Sequence, residues 1–164
     1  EHRMSTLEVK GIQAPTGYDL QMPAGHIVQV VQGSTDTNVS SSSTTFSDTG
    51  LTATITPTSA NSKILVVVHQ NGGYKNAGNA ANKIIANLFR GSTDLTCFSR
   101  DGGYAEVAIE KRLETMSTSY LDSPATTSAT TYKTQFRNGV ASAEVRFQTS
   151  GTSTSTITLM EVAG

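Results

Sequence analysis

Tryptophan is absent from this chain of 164 residues, cysteine occurs once, proline four times, and aromatic residues make up only 6%. The single thiol, Cys97, excludes an intramolecular disulfide framework. Charged residues are scarce too, at 15%, and the net charge is -1. That balance gives no electrostatic reason to expect nucleic acid or an anionic membrane surface as partner. No apolar run approaches the roughly 18 residues of a transmembrane helix, so no membrane insertion is expected. Glu1 to Lys10 lacks an apolar h-region, so no secretory signal is expected there.

What is abundant is Ser and Thr, together roughly a quarter of the chain. Thr is β-branched and suits the pleated surface of a strand. Ser and Thr also close turns through local hydrogen bonds. The composition therefore predicts many short strands joined by many turns. Low net charge with clustered Val and Ile argues against disorder.

The strands can be placed by periodicity. His26 to Gln32 carries apolar residues on both faces, so it is expected to be central or to lie at an interface. Gly33 to Ser43 reads as a loop or weak edge strand, and Thr44 to Ser47 as a strand ended by Asp48-Thr49-Gly50. Leu51, Ala53 and Ile55 alternate with Thr52, Thr54 and Thr56, a period-2 strand. Lys63 to Gln70 is the most apolar strand and is expected to be buried on both faces. Asn71 to Asn79 reads as a long Gly/Asn loop. Lys83 to Arg90, the turn Gly91 to Asp94, and Leu95 to Ser99 form an expected hairpin, with Arg100 to Gly103 as the next loop. Glu106 to Met116 fits either a helix or a strand. Thr131 to Arg137 alternates again, Asn138-Gly139 is a two-residue hairpin signal, and Thr156 to Val162 is the last strand. About eight to ten strands at this spacing predict an all-β fold, a jelly-roll β-sandwich. Residues 1–24 are expected to form an extended N-terminal arm and residues 25–164 the sandwich domain.

The sequence offers little chemistry. His2, His26 and His69 have no ligand-spaced companions, so no metal is expected. Cys97 lies in an apolar strand and reads as a small buried hydrophobe. Asp101, Glu106, Glu110 and Glu114 share one region; on a helix the three glutamates would be i, i+4 neighbours close to Lys111 and Arg112, a solvated charged face. No catalytic residue, no cofactor and no enzymatic activity are expected. The expected ligand or receptor surface is a pair of loops carrying Asn71, Tyr74, Lys75, Asp101 and Tyr104, where aromatic rings stand among polar neighbours. Ile27, Val31, Leu159 and Val162 are the expected core or trimer-interface residues. A core this thin, without a disulfide, points to association for stability.

Several segments resemble small structural proteins of tailed, particularly marine, bacteriophages. They are Gly25-His26-Ile27-Val28-Gln29-Val30-Val31-Gln32, Thr49 to Pro57, Ser62-Lys63-Ile64-Leu65-Val66, Leu88 to Thr93, Ser119 to Pro124 and Ile157 to Val162. They occur in the same order as in tail-fibre and virion structural proteins. Met4 to Lys10 is similar to the start of such proteins. The resemblance implies a trimeric jelly roll of the tumour-necrosis-factor and C1q type. It also implies a virion location after assembly in the host cytoplasm, and a fibre-head or receptor-binding role. Other virion proteins would be held through the N-terminal arm, and a host surface glycan or protein is a further expected partner. A capsid decoration or head-fibre protein, and a lectin-like glycan-binding module, are the alternatives.

Overall fold

The structure, a computed structural model, describes residues 23–141, 143–149 and 153–164. All regular structure among them is β: β1 (Ile27–Thr35), β2 (Val39–Ser41), β3 (Ser47–Ile55), β4 (Lys63–Lys75), β5 (Ile84–Arg90), β6 (Thr93–Gly102), β7 (Lys111–Asp122), β8 (Thr130–Asn138), β9 (Val145–Phe147) and β10 (Ser155–Val162). Every pairing is antiparallel. The larger sheet runs β1-β10-β4-β7, with β9 and β2 continuing the β10 side beyond the end of β10. The smaller runs β3-β8-β5-β6. The chain passes repeatedly between the sheets, at β2–β3, β3–β4, β4–β5, β6–β7, β7–β8 and β8–β9, so the two layers form a jelly-roll sandwich, as the alternating Thr-rich segments predict. The expected arm lies outside the described residues, apart from Pro23 and Ala24.

Alternation builds the core. Leu51, Ala53 and Ile55 of β3 face inward, against Ile64, Val66 and Val68 of β4, Leu88, Tyr132, Ile157 and Leu159. A second cluster joins Ile84, Ala86, Phe136, Val145 and Phe147. Between the two, Gln70 accepts from the Thr134 hydroxyl at 2.8 Å, and Thr134 meets Thr49 at 2.5 Å, so the buried polar groups satisfy one another. Asp122 of β7 clamps the layers at one rim: it accepts from Arg90 at 2.6 Å and from the Tyr132 hydroxyl at 2.7 Å, both on the other sheet. That bond raises the guanidinium pKa of Arg90, and burial raises that of the Tyr132 phenol.

Three sequence expectations are corrected and one open alternative is decided. Asn71 to Lys75 is not a loop but the last five residues of β4, paired with β7 along its length and with β9 at Tyr74 and Lys75. Gly72 permits this: at φ +65° it inverts the alternation, so that Gln70 faces inward before it and Gly73 and Lys75 after it. Of the two readings of Glu106 to Met116 the strand holds from Lys111 on, where β7 begins, and Glu106 and Glu110 lie in the loop before it. Asp48-Thr49-Gly50 does not end a strand but forms a bulge inside β3. Asn138-Gly139 makes no hairpin, because β9 pairs with β2 and β4 instead of β8, and Gly139 bonds to the Lys83 carbonyl at 3.0 Å.

Candidate assembly interface

The outward face of the larger sheet is where the apolar surplus of the sequence collects. In β10, Ser155, Ile157, Leu159 and Glu161 point inward and Thr156, Thr158, Met160 and Val162 outward. Register carries that face across four strands: Val30 stands opposite Met160, Met160 opposite Leu65, and Leu65 opposite Leu121. This is an unbroken aliphatic row across β1, β10, β4 and β7. Val30 is 57% exposed and Leu121 52%. A bulge in β1 adds Val28 as an extra residue beside Ile27, so both crowd Val162 on the same face. Val67 extends the patch one step along β4. No element of the described residues covers it. β4 is therefore fully buried on one face only, not on both as its composition suggests, because Leu65 and Val67 stay partly exposed.

The four residues expected at a core or interface separate by face. Leu159 is fully buried and Val31 packs against the same cluster, so these two belong to the core. Ile27, 49% exposed, and Val162, its cross-strand partner, belong to the outer face. Val28, Val30, Leu65, Leu121 and Met160 were not singled out from the sequence. Their alternation is legible, but which strands lie side by side depends on pairings more than 50 residues apart along the chain, between β4 and β7 or across to β10.

Glu161 anchors the inner side of the same sheet end. It is fully buried and accepts from Gln29 at 2.6 Å, and from the Thr58 amide and hydroxyl at 2.7 Å each. Burial opposes its charge, but the bonds from Gln29, Thr58 and Ser62 outweigh that penalty and hold its carboxyl down at about 2. This ties β1 and the β3–β4 connection to β10 beneath the aliphatic row.

The five expected ligand residues lie at the opposite end of the sandwich and do not form one site. Tyr74 stacks between the guanidinium groups of Arg112 and Arg146, at 5.6 and 5.4 Å, which are its direct neighbours on β7 and β9. Its hydroxyl donates to Glu110 at 2.7 Å, which raises its pKa. Lys75 points the other way and is fully buried, and its Nζ has no partner among the described residues. Burial pushes its ammonium pKa down, and Lys111 adds to that. Asn71 bonds to Thr115 and to the Thr154 carbonyl, both at 2.5 Å. Asp101 lies in β6, not in a loop, and pairs with Lys83 at 2.6 Å; the same Lys83 sits 5.7 Å from the Tyr104 ring. Only Tyr104 occupies a loop, beside exposed Val107 and Ile109. Cys97 is exposed, not buried, since β6 turns it outward. Among the described residues no three His, Cys, Asp or Glu side chains cluster as metal ligands would.

No protein-family model matches the chain, and no curated protein matches it. Two solved structures of infectious bursal disease virus are similar in fold. One is the VP2 subviral particle, at 11% identity and a TM-score of 0.46, covering 83% of this chain and 33% of that one. The other is the virus of the Gx strain, at 13% identity and a TM-score of 0.47, covering 93% of this chain and 41% of that one. The chain thus spans 33% and 41% of the length of these two chains.

Proposed function

We propose that this chain is a structural protein of a bacteriophage virion, a jelly-roll module that works as a homotrimer in a fibre-head position. The observation that carries the reading is the aliphatic row Val30, Met160, Leu65 and Leu121 on an uncovered sheet face. A single-copy protein gains nothing by keeping such a row wet, whereas covering what remains exposed of these side chains contributes roughly 25 cal/mol per Å² of apolar surface. The order of segments similar to phage structural proteins supplies the virion setting, and closed symmetric association is the usual way for identical subunits to hide one shared patch. The paucity of charge on this face suits a dry contact.

The test is the mass in solution at micromolar concentration, by light scattering on the full chain. A species of three times 17.3 kDa is expected, and a Leu121→Glu, Val30→Glu pair should reduce it to the single-chain mass while leaving the strand-rich circular dichroism unchanged. A wild-type protein that stays at 17.3 kDa over that range would overturn the proposal.

A further inference from the structure

The outer face of the smaller sheet carries a second feature, independent of the assembly proposed above. Strand β6 pairs with β5 through three register shifts, each placing one extra residue on β6. These bulges change the outward spacing from two residues to three. Leu95 and Phe98 drop back onto the core, while Asp94, Cys97 and Arg100 are all turned to the outer side. All three line a cleft of about 470 Å³, with Arg137 and Lys83 on its far wall. Consecutive bulges on an edge strand are a device for aiming side chains, since a regular ladder would hide one of any two neighbours.

The lining groups have uncommitted bonding capacity of a particular kind. Arg100 has no hydrogen bond or ion pair among the described residues. Arg137 stacks on Phe46 at 5.3 Å, and only a long 3.4 Å contact to the Asn138 carbonyl engages its donors. Arg137 stands directly opposite Ile85 on one side, and on the other the bulge between the Ile84–Gly102 and Ala86–Ser99 pairs sets Arg100 and Asp101 together beside Ile85. The two backbones are thus two strand spacings apart, roughly 10 Å, close enough for two long guanidinium side chains to close on one anion above Ile85. Lys83 is already neutralised by Asp101. On the floor, Asn87 is 7% exposed and donates to Asp94 at 2.7 Å, while its Oδ1 lacks any partner. Asp94 keeps its second oxygen free among the described residues.

We infer that this cleft binds an acidic saccharide, a sugar residue that offers one carboxylate together with neighbouring hydroxyls. The two arginines take the carboxylate, for which the planar guanidinium fork is matched. Asp94 and Asn87 can only accept at their free oxygens, so they call for hydroxyl donors on the same ligand. A bare anion supplies none, and a dense polyanion such as nucleic acid would set its phosphates against Asp94. A neutral sugar leaves both arginines unpaired.

Cys97, the only thiol in the chain, reports occupancy from inside the cleft. The probe is trigalacturonate added to the full chain, with maltotriose and sodium sulfate at matched ionic strength as controls, and the readout is the rate at which a neutral dipyridyl disulfide modifies Cys97. Trigalacturonate should slow the reaction roughly tenfold at saturation by closing access to the thiol. Maltotriose and sulfate should leave it unchanged, and R100Q with R137Q should abolish the protection. Calorimetric titration of the same three probes gives a second reading that does not depend on thiol reactivity. No slowing and no heat with trigalacturonate, equal slowing by sulfate, or protection that survives in the double variant would each overturn the assignment.

Discussion

Replacing Glu161 by Gln tests whether a buried carboxylate holds the sheet end on which the aliphatic row stands. The native carboxyl sits near 2, against an ordinary value of 4.5, so the folded chain prefers it ionised. At about 1.4 kcal/mol per tenfold change in proton affinity, that preference amounts to about 3 kcal/mol of stability. The sign follows from the depressed value: the contribution is complete above about pH 4.5 and drains away as the pH falls towards 2. In Glu161→Gln the amide cannot be ionised, and its NH2 half confronts the Thr58 amide or the Gln29 amide, each already a donor. Urea unfolding at pH 7, 4.5, 3 and 2, at one fixed protein concentration, should show the variant less stable by about 2–3 kcal/mol at neutral pH. That gap should narrow steadily below pH 4.5. A variant that unfolds with the same deficit at every pH, or with none, would refute the assignment of Glu161 as a charged anchor.

Three further outcomes follow from the packing. Gly72→Ala forces a Cβ to 2.9 Å from the Thr149 amide at a φ of +65°, and should cost roughly 2 kcal/mol or more in denaturant unfolding. Asp122→Asn removes the charge that Arg90 and Tyr132 share across the two layers, and should cost about 3 kcal/mol, read as a lowered thermal midpoint; Tyr132→Phe should cost less, about 1 kcal/mol. Ile27→Asp, on the outer face, should weaken association in sedimentation experiments, whereas Leu159→Ala, in the core, should lower stability by about 2–5 kcal/mol.

The strands that could be read from the sequence are those whose partners impose a simple period. Leu51, Ala53 and Ile55 alternate with Thr because one face of β3 is wet and the other dry, and the sequence states both. Asn71 to Lys75 could not be read in that way: Gly and Asn signal a loop locally, and only the distant strands β7 and β9 make the segment a ladder. The outward turn of Cys97 was hidden for a related reason. Leu95, Cys97 and Ser99 look like one face of a two-residue repeat, yet the register shifts against β5 replace it with a three-residue one. The split between Val31 inside and Ile27 outside was likewise decided by a bulge that no local pattern announces, whereas Leu159 and Val162 part by the plain alternation of β10.

The same irregularities have a consequence for crowding. The rim strands β1, β3 and β6 each carry a displaced residue, at Val28, around Gly50, and three times along β6. A stray extended peptide that tries to continue the hydrogen-bond ladder from these rims meets donors and acceptors out of step. Three of the long rims therefore resist ladder-to-ladder pairing between copies, and β7, whose pairing with β4 is regular from Asp122 to Lys111, is the rim left in step.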